Sequence, residues 1–372
     1  MTLSTAESTV LAHRDEGWAM TEPLRHGVQR YQVVQWATGN IGARTMRAVL
    51  EHPNLTLAGV YVHTPAKAGL DAGELSGGGL GTTGVVATHD IDEILALGAD
   101  CVLYTPRACD FDEVCTLLSS GVNVVSTRGE FHYAPSLDPV TRKRVEDACE
   151  RGGTSVHSTG SSPGFITEAL PLTLTSIQRR LDALTIDEFA DLSQRDSPGL
   201  LFEVMGFGRP PAEFGEERLA GLRDSFGPSL RLLAEALSAP LDSVEAIGEV
   251  ATARRTTRIA AGTLPEGTVA AQRITVSGLR KGRPLLRFRA NWYCTTDLDP
   301  AWDLRATGWH VAVEGDAPLD IDLRFPVPLD RMAAMSPSYT ANRAVNAVPF
   351  VCAAAPGIRS TADLPQIVAA LG

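Results

Sequence analysis

The 372-residue sequence predicts an α/β protein in two parts: a doubly wound parallel sheet, then an α+β domain with a mostly antiparallel sheet. Three observations predict it. The length exceeds what one domain of roughly 150 residues needs. From Tyr31, short β-branched runs alternate with helices of about ten residues, the pattern of a parallel sheet covered on both faces. Beyond residue 180, strands follow strands through glycine-marked turns that leave no room for crossover helices.

In order, YQVVQW (31–36) is a strand and Ala43 to Glu51 a helix, followed by the strands LTLAGVYV (55–62) and VVAT (85–88). A helix over Ile91 to Leu97, the strand CVLY (101–104), a helix over Phe111 to Ser119 and the strand NVVS (123–126) continue the alternation. A helix from Pro139 to Arg151 leads to TSVHS (154–158), a Gly/Pro break at GSSPGF (160–165), and an amphipathic helix from Ile166 to Gln178. The second part places strands at Ala183–Leu192, Ser243–Ala261, Thr268–Leu279, Arg283–Tyr293, Gly308–Glu314 and Asp320–Arg324. Residues Met335 to Leu371 read as helix. The expected division is a tail over 1–30, a dinucleotide-binding domain over 31–160 with 335–372 packing back on it, and a substrate-binding and dimerisation domain over 161–334.

Composition narrows the function. With 33 basic against 44 acidic residues the chain carries a net charge of −11, so no general field draws in a phosphodiester backbone or an anionic lipid surface. Nucleic acid and membrane are not expected partners. The longest apolar stretch, Ala344 to Ile358, is interrupted by Asn346, Pro349 and Pro356 and is too short to span a bilayer. Glu7, His13, Arg14, Asp15 and Glu16 break up the N-terminal segment, which lacks a signal-peptide layout; a cytoplasmic location follows, with Met20 an alternative start. The six cysteines show no C-x-x-C pair and read as free thiols, and no His, Cys or carboxylate spacing suggests a metal.

The sharpest motif is Trp36-Ala-Thr-Gly-Asn-Ile-Gly42, directly after a predicted strand and opening a predicted helix. It is the G-x-G-x-x-G fingerprint of a Rossmann dinucleotide site with Ala37 at the first glycine. In that reading Thr38 lies in the turn and Gly39 lets the backbone approach a pyrophosphate. Asn40 and Ile41 offer N–H groups from the helix N-terminus, and Gly42 lets helix and strand pack closely. At the end of the second strand, where a carboxylate would bind the ribose of NAD, the sequence has His63, Thr64 and Lys67 and no acid until Asp71. A 2′-phosphate suits that set better. NADP is the expected cofactor, with NAD left open.

Together WATGNIG (36–42), HTPAKAGLDAGEL (63–75), GVNVVSTRGEF (121–131), GSSPGF (160–165), MGFG (205–208) and NAVPFVCAAAPGI (346–358) resemble the family of 2,4-diaminopentanoate dehydrogenases and native amine dehydrogenases. The resemblance implies a fold similar to dihydrodipicolinate reductase and reductive amination of a small ketone or aldehyde with ammonia by NAD(P)H, with its reverse. It also implies a homodimer through the second domain. The family's acid/base glutamate matches Glu130, at the C-terminal end of a central strand, where Phe131 and Tyr133 would partly desolvate it and raise its pKa. Thr105, Arg107 and Asn346 complete the expected cofactor contacts. Phe131, Phe165, Arg195, Phe202, Met205, Phe207 and Cys352 are the pocket candidates. His132 and His157 are rivals for proton transfer, though a lone histidine is more often structural. The segment from His157 to Gly164 lacks the dicarboxylate-binding pattern of dihydrodipicolinate reductases. A diamino-acid dehydrogenase, with Arg195 binding a carboxylate, and a non-catalytic dinucleotide-sensing protein stand as alternatives.

Overall fold

The computed structural model describes residues 29–371; the expected tail up to residue 28, Met20 included, lies outside the described residues. The first sheet has seven parallel strands: β1 (Tyr31–Trp36), β2 (Leu55–Tyr61), β3 (Ala87–Thr88), β4 (Cys101–Tyr104), β5 (Asn123–Ser126), β6 (Ser155–Ser158) and, from the far C-terminus, β16 (Gly357–Ile358). Their order is β16-β6-β5-β4-β1-β2-β3. Order reverses between β1 and β4, which opens a crevice at the C-terminal strand ends there. Helices α1 (Asn40–Leu50), α2 (Ala72–Leu75), α3 (Ile91–Leu95), α4 (Phe111–Ser119) and α5 (Pro139–Gly152) connect the strands. Asp90, Asp110 and Asp138 cap α3, α4 and α5 through their carboxylates.

Both faces of this sheet are buried, as its continuous apolar runs require. On β1, Val33 faces a layer with Met46, Val49 and Leu103, while Val34 faces the opposite layer with Val102, Leu117 and Val145. Helix α8 (Leu329–Cys352) lies in the first layer beside α1, through Ala344, Val345 and Val348. The tail is helical only as far as Cys352. Beyond it, residues 353–371 are irregular apart from β16, because Pro356 and Gly357 end the helix.

After β6 the chain turns through Ser162, Pro163 and Gly164, which are non-helical, and winds as a wide helical turn into α6 (Leu170–Thr175). The second sheet follows with β7 (Leu181–Asp191), β8 (Ser243–Ala253), β11 (Val269–Arg280), β12 (Arg283–Tyr293), β13 (Leu298–Asp299), β14 (Gly308–Gly315) and β15 (Leu319–Arg324). A separate hairpin joins β9 (Thr257–Ile259) to β10 (Gly262–Leu264), so the strand expected to run to Ala261 stops at Ala253. The sheet order is β13-β8-β11-β12-β7-β14-β15, antiparallel except where β7 runs parallel to β12.

That one parallel pair needs a crossover, and here the expectation of no crossover helix is corrected. Helix α7 (Glu216–Ala236) lies between β7 and β8 and covers one face of the sheet. Gly221, Gly227 and Pro228 interrupt its apolar period, which hides it in the sequence. Its Phe226 ring stacks on Phe288 of β12 at 3.8 Å, and Leu230 and Leu233 pack with Leu184, Ile186 and Val276.

Candidate active site

The turn after β1 is built around buried polar groups. Gln35 donates through Nε2 to the Ala37 carbonyl (2.8 Å) and to Thr105 Oγ1 (2.9 Å), and Thr105 donates in turn to the Trp36 carbonyl (3.0 Å). Thr105 therefore braces the turn rather than standing free for a ligand. Ala37 takes a left-handed conformation (φ +70°) at the position of the first fingerprint glycine. A Cβ on Gly42 would lie 2.1 Å from the Ala37 carbonyl oxygen, so only glycine lets α1 pack against the turn. A Cβ on Gly39 would meet nothing within 4 Å. The backbone there opens onto free space in front of the α1 N-terminus, a cradle that fits a dinucleotide pyrophosphate.

Around this turn the structure gathers part of the expected set. Lys67, in the short helical turn Pro65–Lys67 that Thr64 opens, donates through Nζ to Thr38 Oγ1 (3.1 Å) and to the Thr38 carbonyl (3.2 Å). His63 Nε2 lies 3.2 Å from Glu113 Oε1, with its ring edge-on to Tyr61, which itself stacks on Trp36 at 3.8 Å. Asn40 Oδ1 accepts from Arg44, whose guanidinium also bonds the Ala334 carbonyl of α8. Arg107 is exposed in the loop after β4, and Asn346 is half-buried on α8.

Glu130 lies in a helical turn (Gly129–Phe131) just beyond β5, held there by the Phe131 N–H donating to Ser158 Oγ (3.1 Å). Its Oε1 is 3.5 Å from Arg128 Nη2, while its buried Oε2 has no protein partner. Next to it, His132 is buried with Nδ1 2.6 Å from Glu168 Oε1. Glu168 also accepts from the hydroxyls of Ser229 on α7 and Thr361 in the C-terminal segment. Burial alone would raise the Glu168 pKa, but the His132 ring and these donors outweigh it and hold the carboxyl below its usual range. His132 is thus one member of a closed cluster tying four segments together. His157 is wholly buried, and burial lowers its pKa to about 4 while its Nδ1 lies 2.7 Å from the Arg359 carbonyl. Both histidine side chains are buried within the protein.

A cleft of about 370 Å³ lies between the two parts. Asn40 and Ile41 of the cofactor turn, Ser161 and Ser162 after β6, residues of β7, β12 and β14, and the start of α8 line it. Of the pocket candidates, Arg195 and Met205 are in its wall. The others lie elsewhere. Phe131 is fully buried in the first domain, edge-on to Phe111. Phe207 and Phe202 pack with Leu201, Ala251 and Leu264 behind β10 and β11. Cys352 donates to the Asp100 carbonyl at the base of the first sheet (3.7 Å), and Phe165 supports Trp309 from behind. Glu130 is not among the residues lining this cleft. The carboxylate that does line it, Glu188 of β7, escaped sequence reading: it accepts from Trp292 Nε1 (3.1 Å) and Trp309 Nε1 (3.0 Å), partners set by strand pairing. Among the described residues, no group of three or more His, Cys, Asp or Glu side chains is placed to hold a metal ion, and no helix is long and apolar enough to cross a membrane.

Comparison with known proteins agrees with this architecture. The chain is 29% identical over 345 residues to an amine dehydrogenase of Streptomyces virginiae, spanning 89% of this chain and 95% of that one. It is also 29% identical over 163 residues to 2,4-diaminopentanoate dehydrogenase of Acetoanaerobium sticklandii, 40% of this chain and 45% of the relative. The solved amine dehydrogenase from Mycobacterium smegmatis shares the fold, with a TM-score of 0.72 over 91% of this chain and 97% of that one at 21% identity. The model of the 2,4-diaminopentanoate dehydrogenase C-terminal domain matches residues 165–372, more than half of the chain, and the protein belongs to that family.

Proposed function

We propose that the protein is an NAD(P)-dependent amine dehydrogenase, catalysing reductive amination of a small ketone or aldehyde with ammonia and the reverse deamination. The observation that carries this reading is the cleft: the same turn that offers a pyrophosphate cradle at Gly39 supplies two of its walls, Asn40 and Ile41, opposite the carboxylate and indoles of the second sheet. The amine dehydrogenase relative, aligned over nearly the whole chain, supports it.

A bound nicotinamide would supply or accept the hydride. The chain's own residues handle binding and protons. Gly39, Asn40, Ile41 and Thr38 would hold the pyrophosphate, and Lys67 would move from Thr38 onto a 2′-phosphate, which favours NADP(H). Glu130, in the turn just beyond β5 and with one oxygen unpartnered, would take a proton from ammonium to free the nucleophile. It would return that proton to the carbinolamine oxygen as water leaves. In this reading residues 31–160, joined by 335–372, carry the cofactor and 161–334 shape the substrate side.

The face of the second sheet turned away from α7 carries a row of paired positions, Ile247, Thr275, Arg289, Asp187, His310 and Asp322, across six strands. Ile247 is 64% exposed in that row. A two-fold dimer that packs this face on its own copy would cover it. The free thiols suit a cytoplasmic setting.

One observation favours a diamino acid as substrate: the Arg195 guanidinium, its pKa lowered by burial, lines the cleft with Nε unpartnered. Cofactor reduction by matched amines and amino acids at alkaline pH tests both readings. Turnover of simple amines supports the first, turnover confined to amino acids supports the second, and no reduction by either class contradicts both.

A further inference from the structure

Glu188 sits on β7 between two strands that each send it an indole. Trp309 of β14 is its direct antiparallel partner, and Trp292 of β12 pairs with Ala190 two residues along. An indole N–H can only donate, so both rings are committed to the carboxylate, one on each oxygen. The rings are thereby fixed in the cleft wall, and the wall continues through Phe325, edge-on to Trp309 at 4.7 Å, and Tyr339, 5.0 Å from Phe325.

The carboxylate is nevertheless unpaired in charge. Its neighbour Asp187, on the other face of the sheet, is matched by Arg289 and by His310 Nδ1 at 3.5 Å. Among the described residues no lysine, arginine or histidine forms an ion pair with Glu188. A half-buried carboxylate held by two neutral indole N–H donors keeps its full negative charge, and a cation with N–H groups would add charge-assisted bonds to it. Two indole donors leave lone pairs on both oxygens free for further N–H bonds. The cleft has the volume of a small organic molecule and opens onto the cofactor turn at Asn40 and Ile41.

We infer that Glu188, framed by Trp292 and Trp309, is a cation subsite that holds the protonated amine of the substrate and determines its preference over neutral analogues. The identity of the cation rests on the amine dehydrogenase reading; the subsite itself rests on geometry. In this subsite Glu188 binds and orients the nitrogen and is not asked to move a proton.

Calorimetric titration of the full-length protein, without turnover, with cyclohexylammonium, N,N,N-trimethylcyclohexylammonium and cyclohexanol at pH 7 tests it. The wild-type protein should bind both cations at least about tenfold more tightly than the alcohol, with the N–H-bearing cation ahead of its trimethylated form. Glu188→Gln should bring cation and alcohol within about twofold of each other and raise the amine KM by about tenfold while changing kcat less. Absence of a cation preference in the wild type overturns the inference even if the variant fails to fold. So does a variant that keeps the preference, or one that loses turnover with cation affinity intact. Because binding is read apart from catalysis, cation binding through Glu188 without cofactor reduction would sink the proposed activity and leave the subsite standing.

Discussion

Lys67 Nζ donates to both the hydroxyl (3.1 Å) and the carbonyl (3.2 Å) of Thr38, linking the end of β2 to the turn after β1. In the proposed reading this lysine, with Thr64 and His63 beside it and Glu113 held against the His63 ring at 3.2 Å, lies where the ribose of a dinucleotide would sit. Lys67→Glu should therefore weaken NADPH by about tenfold or more while changing NADH by less than about threefold, since only the former presents a 2′-phosphate. Equal losses for the two cofactors in fluorescence titrations would remove Lys67 from the ribose pocket.

The two glycines of the turn should respond differently. Gly42→Ala drives a Cβ into the Ala37 carbonyl oxygen, so it should lower Tm and cofactor affinity together. Gly39→Ala has open space and an unstrained φ of −76°, so Tm should hold while dinucleotide affinity falls by about tenfold or more. Full affinity in Gly39→Ala would mean that no ligand approaches that backbone.

This turn was legible because its signal is local: strand, glycines and helix start are contiguous. The substrate side was not. Glu188 meets its indoles through the register of β7 with β12 and β14, which no spacing along the chain encodes. Phe131 and Phe207 read as pocket residues because apolar neighbours of a motif look alike whether they face a ligand or a core. Arg195 and Met205, on the segment after β7, do line the cleft, since that segment borders it.

His157 makes stability depend on pH. Its folded-state pKa of about 4 lies below the unfolded value near 6.5, so the unfolded chain binds the extra proton first. Stability should be complete above about pH 6.5 and fall by roughly 3 kcal/mol as pH drops to about 4. Glu168, also lowered, adds to the loss at still lower pH. His157→Asn, which keeps a donor for the Arg359 carbonyl, should flatten the slope between pH 6.5 and 4 in urea titrations; an unchanged slope would assign it to other groups.

Assembly is read by sedimentation velocity. The protein should run as a dimer at micromolar concentration, and Thr275→Glu, which places a new charge beside the exposed Ile247 in that row, should shift it toward monomer with its circular dichroism unchanged. A monomeric wild type would contradict a dimer through this face.

The central claim, that Glu130 carries the proton transfers of amination, is tested most directly by single-turnover amination in Glu130→Gln. The substitution keeps size and removes the basic site. NADPH affinity should stay within about twofold of wild type, and the rate of NADPH oxidation with a saturating ketone and ammonium should fall by about 10²-fold or more. A variant that oxidises NADPH at nearly the wild-type rate would show that the proton moves through another group.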